Sequence, residues 1–348
     1  MNSGALVECV PNISEGRDGE KIGRIVSAAR GIEGCHVLGV EPDRDYHRTV
    51  ITLAGEPGPV QRGAVALILA AVDEIDMRGH QGEHPRLGAV DVCPFVPLRG
   101  ITMEDCAELA RQTVAQVAEA VEVPLFLYGA AASHPDRTVL SNLRKGEYEE
   151  LASRFDGSNE RHGATTMMPD VGAMAWSETV ARSGGITVGA RPILVAYNVN
   201  VDERDAAVAK KVGSLVRSSG RLLKSPTGIR MRTQGLLPSV QGMGVALEEL
   251  GIAQVSMNLL DVEACPLHYA YETVKSVVGD HGVQTPGSEI VGLVPLNAML
   301  AAGRYYLPES ADERELVNAA INGLGLRHHH RFEPEESIIE WAIQGMNA

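Results

Sequence analysis

The chain has 348 residues, with 31 basic against 45 acidic side chains, so its formal net charge is −14. Its composition of 44% hydrophobic and 22% charged residues excludes wholesale disorder, and its length predicts two domains. The negative charge argues against a nucleic acid or an anionic membrane as the main partner. It does not exclude a small anionic ligand, because such binding depends on local charge.

Two further features of the sequence bear on where the protein works. No stretch approaches the roughly 20 apolar residues of a membrane helix, and the first residues lack the basic and apolar regions of a secretory signal. The cysteines are odd in number and form no C-x-x-C pair, so we expect reduced thiols that pack as small apolar residues. These observations predict a cytoplasmic protein. The cysteines are Cys9, Cys35, Cys93, Cys106 and Cys265.

The first hundred residues predict elements in the order β-α-β-β-α-β. Hydrophobic periodicity gives strands over 6–10, 35–40, 49–53 and 89–96, and helices over 19–30 and 59–75. A second copy follows, with strands over 193–201, 239–245, 253–260 and 289–294 and helices over 203–218 and 266–279. Because both copies close with Val-Pro-Leu after an apolar residue, we interpret them as a duplication of split β-α-β units. The fold class is then α+β, with mixed antiparallel sheets and helices on one face.

The region between the copies predicts a helix over 102–121, a strand over 124–128 and a helix near 136–153. Residues 156–189 follow with little periodicity and many Gly, Ser, Thr and Met residues. A structureless segment of that length is usually functional or disordered. We interpret it as the wall of a binding cleft between domains, with a flexible linker as the alternative.

The densest polar cluster is HQGEHPR, at 80–86. It matches H-x-x-E-H, in which two histidines one helical turn apart bind zinc. Gly82 and Pro85 disfavour the helix that this geometry needs, so the segment predicts a loop. In a loop, one histidine can act as a general base, oriented by Glu83 or Asp91, while Arg86 holds a carboxylate. A zinc site through His80 and His84, and a merely structural histidine, are the alternatives.

A second polar cluster, EPDRDYHR at 41–48, lies between two predicted strands. Its carboxylates could hold an amidinium-like cation, and Arg48 could bind an anion. A solvated connection is the alternative. A third segment, 206–247, carries seven basic and no acidic residues, so a locally cationic surface lies within an acidic chain.

Several strings of the sequence together resemble the glutamate formimidoyltransferase family. They occur in the family's order over nearly the whole chain. The strings are LVECVPNISEG (6–16), RTV (48–50), IDM (75–77), GEHPR (82–86), DVCPFVP (91–97), GEYE (146–149), PD (169–170), GAR (189–191), NLLD (258–261) and VGLVPL (291–296).

The resemblance implies transfer of the formimidoyl group of N-formimino-L-glutamate to N5 of tetrahydrofolate, in histidine breakdown and one-carbon metabolism. It also implies a homodimer and two ferredoxin-like subdomains, over 1–189 and 190–348, that face each other across a cleft. Tetrahydrofolate would be the co-substrate, with no metal. The expected form is monofunctional, without the cyclodeaminase that follows this domain in animals.

The resemblance also implies roles for individual residues. His84 corresponds to the family's catalytic histidine and Glu41 to its catalytic carboxylate. Candidates for binding the glutamate substrate are Asn12, Arg48, Arg86 and Arg191. Candidates for binding folate are Gly172, Met174, Trp176, Gly184 and Gly185.

Two segments depart from the family pattern: the loop before Arg48, where the family usually reads Asp-Val-Asp and this chain has Gly39-Val40-Glu41, and the folate loop. Glu41 stands where the family usually has aspartate, and its extra methylene would shift the carboxylate by roughly an ångström, enough to alter catalysis. His47 stands where the family usually has asparagine, and the folate loop at 172–186 also differs. A repurposed folate-binding homologue, using a different formimidoyl donor or amine acceptor, therefore stays open.

Overall fold

The computed structural model describes residues 4–156, 158, 167–248, 250–329 and 331–346. The chain divides into two compact units, Met1–Pro192 and Ile193–Ala348, each with its own buried core. Within the described ranges, no helix is both long and apolar enough to cross a membrane. All five cysteines are free and buried, which confirms the expected reduced thiols.

The first unit contains eight strands and six α-helices among its described residues. The strands are β1 (Leu6–Cys9), β2 (Asn12–Ile13), β3 (Cys35–Asp43), β4 (Arg48–Gly55), β5 (Val90–Arg99), β6 (Pro124–Gly129), β7 (Val171–Gly172) and β8 (Ile186–Ala190). The helices are α1 (Gly19–Arg30), α2 (Pro57–Glu74), α3 (Met103–Ala120), α4 (Leu140–Leu143), α5 (Leu151–Phe155) and α6 (Glu178–Ser183). Local signals start two of them: Asp18 caps α1 by accepting from two backbone N–H groups, and Thr102 and Asp105 form a capping box on α3.

The strands of the first unit form one mixed sheet. Both β1 and β2 pair with β4 and β5, so they act as two parts of one interrupted strand. The spatial order is β3, β4, β1/β2, β5, β8, β6, β7. The pairs from β3 to β5 are antiparallel, whereas β8 runs parallel to both β5 and β6. The predicted β-α-β-β-α-β order of the first hundred residues is confirmed.

Two predictions for the first unit are wrong. The helix expected near 136–153 is interrupted, because Gly146 and Glu147 have φ values of 78° and 53°, in the left-handed region that ends a helix. The loop expected over 156–189 contains β7, α6 and most of β8, and β8 is an interior strand of the sheet. Residues 157 and 159–166 of that predicted loop lie outside the described part of the chain.

The sheet of the first unit has two different faces. Along β4, Thr49, Ile51 and Leu53 are fully buried, and helices α1, α2 and α3 pack on the same side of the sheet as these isoleucine and leucine side chains. Because side chains alternate along a strand, Arg48 and Val50 point to the opposite face. A small apolar cluster covers that face at β5 and β6; its fully buried members are Leu87, Phe126, Leu143 and Leu151. The polar remainder, at β2, β3 and β4, is called the open face below.

The second unit contains a four-stranded antiparallel sheet and a separate two-stranded ribbon. Its strands are β9 (Val195–Val201), β10 (Leu222–Lys224), β11 (Arg230–Arg232), β12 (Val240–Leu247), β13 (Ile252–Leu259) and β14 (Ser288–Val291). Its helices are α7 (Ala207–Val216), α8 (Leu267–Gly279), α9 (Leu296–Tyr306), α10 (Glu313–Leu324), α11 (Pro334–Ser337) and α12 (Ile339–Met346). The sheet order is β12-β13-β9-β14, and the predicted strands and helices of the second copy are confirmed. The exposed ribbon of β10 and β11 lies within the basic segment 206–247 and was not predicted.

Candidate active site

His84 lies in the loop that leads into β5, as the sequence predicts. The loop follows a short 3₁₀ turn, Met77–Gly79, and contains no helix. The imidazole is half-buried beside the turn between β3 and β4, and its ring centroid is 6.2 Å from that of Tyr46. A Cβ on Gly82 would collide with the backbone of Tyr46, so glycine lets this loop pack directly against the turn.

The surroundings of His84 keep its imidazole neutral. Burial lowers the pKa of His84 to about 4, with the positive charges of Arg48, Arg144 and Arg86 acting in the same direction. Asp43 opposes them. At neutral pH the side chain is therefore an uncharged group that can accept a proton, the state required of a general base.

Arg48 places a positive charge on the open face. It begins β4 and lies opposite Asp43 of β3 in the strand register. Its Nε is buried without a hydrogen-bond partner, and its guanidinium lies 5.6 Å from the Tyr46 ring centroid. A buried guanidinium N–H that lacks a partner in the protein favours an acceptor supplied by a ligand, such as a carboxylate.

Arg144 is a second guanidinium at this site, and sequence reasoning missed it. It follows α4 and forms a bidentate ion pair with Asp91 of β5, with Nε 3.1 Å from Oδ1. Burial raises the pKa of the Asp91 carboxyl, while the Arg144 charge opposes that rise. Asp91 also accepts from the backbone N–H of Leu87 at 3.1 Å, so it holds both Arg144 and the end of the His84 loop.

Arg86, predicted to hold a substrate carboxylate, is already paired within the protein. Its two terminal nitrogens lie 2.8 and 2.6 Å from the carboxylate oxygens of Glu149, and Glu147 adds a contact at 3.1 Å. The side chain is buried. Arg86 therefore anchors the His84 loop to the segment after α4, and its remaining effect on His84 is electrostatic.

His80, the other histidine of the zinc hypothesis, has both ring nitrogens engaged. One lies 3.0 Å from the backbone oxygen of His47, and the other accepts from Nε of Arg86 at 3.2 Å. Among the described residues, no group of three or more potential ligands is arranged to hold a metal. The geometry of this loop thus gives no support to zinc binding by His80 and His84.

The remaining predicted residues of the active site are Asn12, Glu41 and Arg191. The first two share a face of the sheet with Arg48, and Arg191 follows β8. Cross-strand pairing places Asn12 and Glu41 opposite Val50, on the face that carries Arg48. Glu41 is exposed, and Asp43 rather than Glu41 is the carboxylate with the largest effect on the pKa of His84. Arg191 follows β8, near Tyr128, where its Nη1 donates to the backbone of Pro192 at 3.0 Å.

The predicted folate residues lie in two different places in the first unit. Gly172 is in β7, five strand spacings from β4, which corresponds to roughly 24 Å. Trp176 is partly exposed, 6.2 Å from the ring of Tyr148. Gly184 and Gly185 pack against Leu87, where a side chain would collide with neighbouring atoms. Gly172 thus lies far from Arg48, whereas Gly184 and Gly185 adjoin Leu87, at the end of the His84 loop that Asp91 holds.

The fold and site together define an α+β protein of two units, one of which carries a half-buried histidine whose pKa is lowered by burial and by nearby arginines. Two family models match it: the N-terminal subdomain of the formiminotransferase domain over residues 6–191, and the formiminotransferase domain over 196–344. The chain belongs to the formiminotransferase family, which confirms the resemblance seen in the sequence.

Individual relatives agree with the family match. The chain is 39% identical to rat formimidoyltransferase-cyclodeaminase over 97% of its own length and 60% of that protein. It is 37% identical to glutamate formimidoyltransferase of Streptococcus pyogenes serotype M1, over 87% of this chain and 93% of that protein. A glutamate formimidoyltransferase of Thermoplasma acidophilum is also 37% identical, over 87% and 92%. The chain thus spans about three fifths of the formimidoyltransferase-cyclodeaminases that it matches.

Proposed function

We propose that this chain is a glutamate formimidoyltransferase that transfers the formimidoyl group of N-formimino-L-glutamate to N5 of tetrahydrofolate. The observation that carries the proposal is the neutral His84 beside Arg48 and Arg144. A proton acceptor next to two cations suits a substrate that has carboxylates at one end and a reacting amidine at the other. The family match and the name of the bacterial relative, a glutamate formimidoyltransferase, support the formimidoyl transfer.

The reaction needs a group that first takes a proton and later returns it. N5 of tetrahydrofolate attacks the formimidoyl carbon, a new C–N bond forms, and neutral His84 accepts the N5 proton. The bond from that carbon to the glutamate nitrogen then breaks, and His84 returns the proton to that nitrogen. Arg48, which has an unpartnered N–H, binds a substrate carboxylate, and Arg144 adds positive charge from its fixed position on Asp91.

Further parts of the proposal concern architecture and the acceptor. The strand orders β5-β1/β2-β4-β3 and β14-β9-β13-β12 are the same when the strands of each repeat are numbered in chain order, which supports a ferredoxin-like description of both units. Tetrahydrofolate is the proposed co-substrate, the segment 172–185 remains the candidate folate contact, and a homodimer is the proposed assembly. Arg191 remains a candidate for binding a carboxylate of either substrate.

The direct test is to incubate the chain with N-formimino-L-glutamate and tetrahydrofolate and to follow 5-formimidoyl-tetrahydrofolate and glutamate. We expect both products in equal amounts. Formation of neither would overturn the proposal. Formation of product only when the donor is replaced by another N-formimino amino acid, or the acceptor by another amine, would identify a repurposed homologue.

The catalytic carboxylate provides a second prediction, because the structure favours Asp43 over Glu41. Asp43 is the carboxylate whose charge acts on His84, whereas Glu41 is exposed. We therefore expect Asp43→Asn to lower kcat about tenfold or more, and Glu41→Gln to lower it less, since a carboxylate stabilises the imidazolium formed in the reaction. Oδ1 of Asp43 also accepts from the backbone N–H groups of Asp45 and Tyr46, and the amide oxygen of asparagine can retain both bonds. A larger loss in Glu41→Gln would restore the role that the sequence gave to Glu41.

A further inference from the structure

His47 is held in a geometry that only a doubly protonated ring can satisfy. Its Nδ1 lies 2.8 Å from the backbone oxygen of Gln81, and its Nε2 lies 3.1 Å from Oε1 of Glu15. A carbonyl oxygen and a carboxylate only accept hydrogen bonds, so the two ring nitrogens can donate to both of them only when His47 is an imidazolium.

Glu15, the acceptor for Nε2 of His47, is an ionised carboxylate at neutral pH. Although its burial acts to raise the pKa of Glu15, the backbone N–H groups of Arg17 and Asp18 and the ammonium of Lys21 lower it to about 2. Glu15 is buried, and its Oε2 is 3.0 Å from Nζ of Lys21. Glu15 is thus an ionised acceptor for the Nε2 proton of His47, and groups other than His47 stabilise its charge.

The ring of His80, which stacks on His47, carries one proton rather than two. The centroids of His47 and His80 are 4.2 Å apart, with the rings 14° from parallel. Arg86 can only donate, so Nδ1 of His80 accepts from it and Nε2 carries the single proton that bonds to the backbone oxygen of His47. Burial also lowers the pKa of His80. His80 is therefore a neutral ring with one fixed tautomer.

The hydrogen bonds of His47 and His80 connect three segments of the first unit, one of which is the His84 loop. Glu15 follows β2, His47 lies in the turn between β3 and β4, and Gln81 belongs to the His84 loop. The loop is tied to the turn by one more bond, from the Glu83 N–H to the Asp45 oxygen at 3.3 Å. The charge on His47 thus connects the loop that holds the base with the strand that begins at Arg48.

We propose that the His47 imidazolium is a positioning residue that fixes His84 relative to Arg48, and that loss of its second proton removes one of the contacts that hold the loop in place. The proposal rests on the proposed function for its activity measurement only. The titratable and charged groups that face this network are Glu15 beyond β2, Lys21 of α1, His80 and Arg86 of the His84 loop, and Asp43, Asp45 and Tyr46 of the turn itself.

The kinetic test uses His47→Asn. Asparagine tolerates the left-handed φ of 50° at this position and keeps one donor, but it carries no charge. In the wild type, kcat/KM should fall as pH rises, because a neutral His47 leaves one of its two acceptors unpaired. In the variant, this alkaline decline should be absent, and the plateau of kcat/KM should be about tenfold lower, as expected for a small displacement of the base.

Two companion variants separate positioning from general damage. Glu15→Gln should reproduce the kinetic effect of His47→Asn, and the double variant should be no worse than either single one, because both remove the same contact. Lys21→Gln is the matched control, since it removes the other charged partner of Glu15 and leaves His47 in place; its kcat/KM should stay within about twofold of wild type. Additive losses in the double variant would overturn the proposal.

A spectroscopic test needs no turnover. In the full chain labelled with ¹⁵N-histidine, long-range ¹H–¹⁵N correlation at pH 7 should show both nitrogens of His47 protonated and only Nε2 of His80 protonated, with His47→Asn and His80→Gln used for assignment. A neutral His47 at pH 7 would overturn the inference. If the wild type lacks formimidoyl transfer altogether, the proposed function fails, while this spectrum still decides the charge on His47.

Discussion

Replacement of His84 by asparagine is expected to reduce kcat for formimidoyl transfer by about 10²- to 10⁴-fold, the usual contribution of a positioned general acid or base. The loss follows because His80, the other neutral imidazole described at this site, already uses both ring nitrogens in hydrogen bonds to the protein. His84 makes no hydrogen bond that the structure identifies, so we expect the variant to fold and to retain substrate affinity. Steady-state kinetics with both substrates measure kcat and KM, and a thermal melt measures the stability of the fold.

The matched control for this prediction is His134→Asn. His134 is also in the first unit and is partly exposed, and asparagine can replace its contact with the backbone N–H of Asp136. Its kcat should stay within about twofold of wild type. A His84→Asn variant that retains most of its kcat would remove His84 from the reaction and leave it a structural role.

Arg48→Met is expected to have two separable effects. Loss of the unpartnered guanidinium should raise KM for the donor by about 10- to 100-fold, because a charge-assisted bond to a carboxylate is worth about 1.5–3 kcal/mol. It should also raise the pKa of His84 from about 4 toward its ordinary value, since one of the cations that disfavour the imidazolium is gone.

The second effect is visible in the pH dependence of kcat/KM. The base must be neutral, so the wild-type acid limb should lie near pH 4, and in Arg48→Met it should move to higher pH. Arg144→Met is a poorer probe of binding, because it leaves the buried Asp91 carboxylate unpaired, at a cost of about 3–5 kcal/mol. An unchanged acid limb in Arg48→Met would show that Arg48 does not act on His84.

The regular elements of both units could be predicted because their hydrophobic periods are strong. The failures have local causes. The helix near 136–153 is broken by a left-handed pair at Gly146 and Glu147, and glutamate gives no sequence signal for that conformation. Strand β8 was missed because it is only five residues long, and its place in the sheet depends on parallel pairing with β5 and β6, which no local pattern encodes.

The site was predicted only in part, for a related reason. His84 and Arg48 stand within recognisable strings, so the sequence could identify them. Arg144 acts through Asp91, 53 residues earlier, and such pairing depends on the fold. Arg86 shows the converse: its residue type suits a carboxylate ligand, but Glu147 and Glu149, more than 60 residues away, already occupy its guanidinium.

The buried thiols have a practical consequence for anyone who labels this protein. Burial raises the pKa of Cys35 to about 11 and those of Cys106 and Cys265 to about 12, and Cys9 is raised further. Since all five thiols are buried and the thiolate is the reactive form, we expect the native chain to give little background with maleimides or iodoacetamide. A single cysteine introduced on the exposed β10–β11 ribbon would therefore carry a fluorophore or spin label at one defined position, without prior removal of the native cysteines.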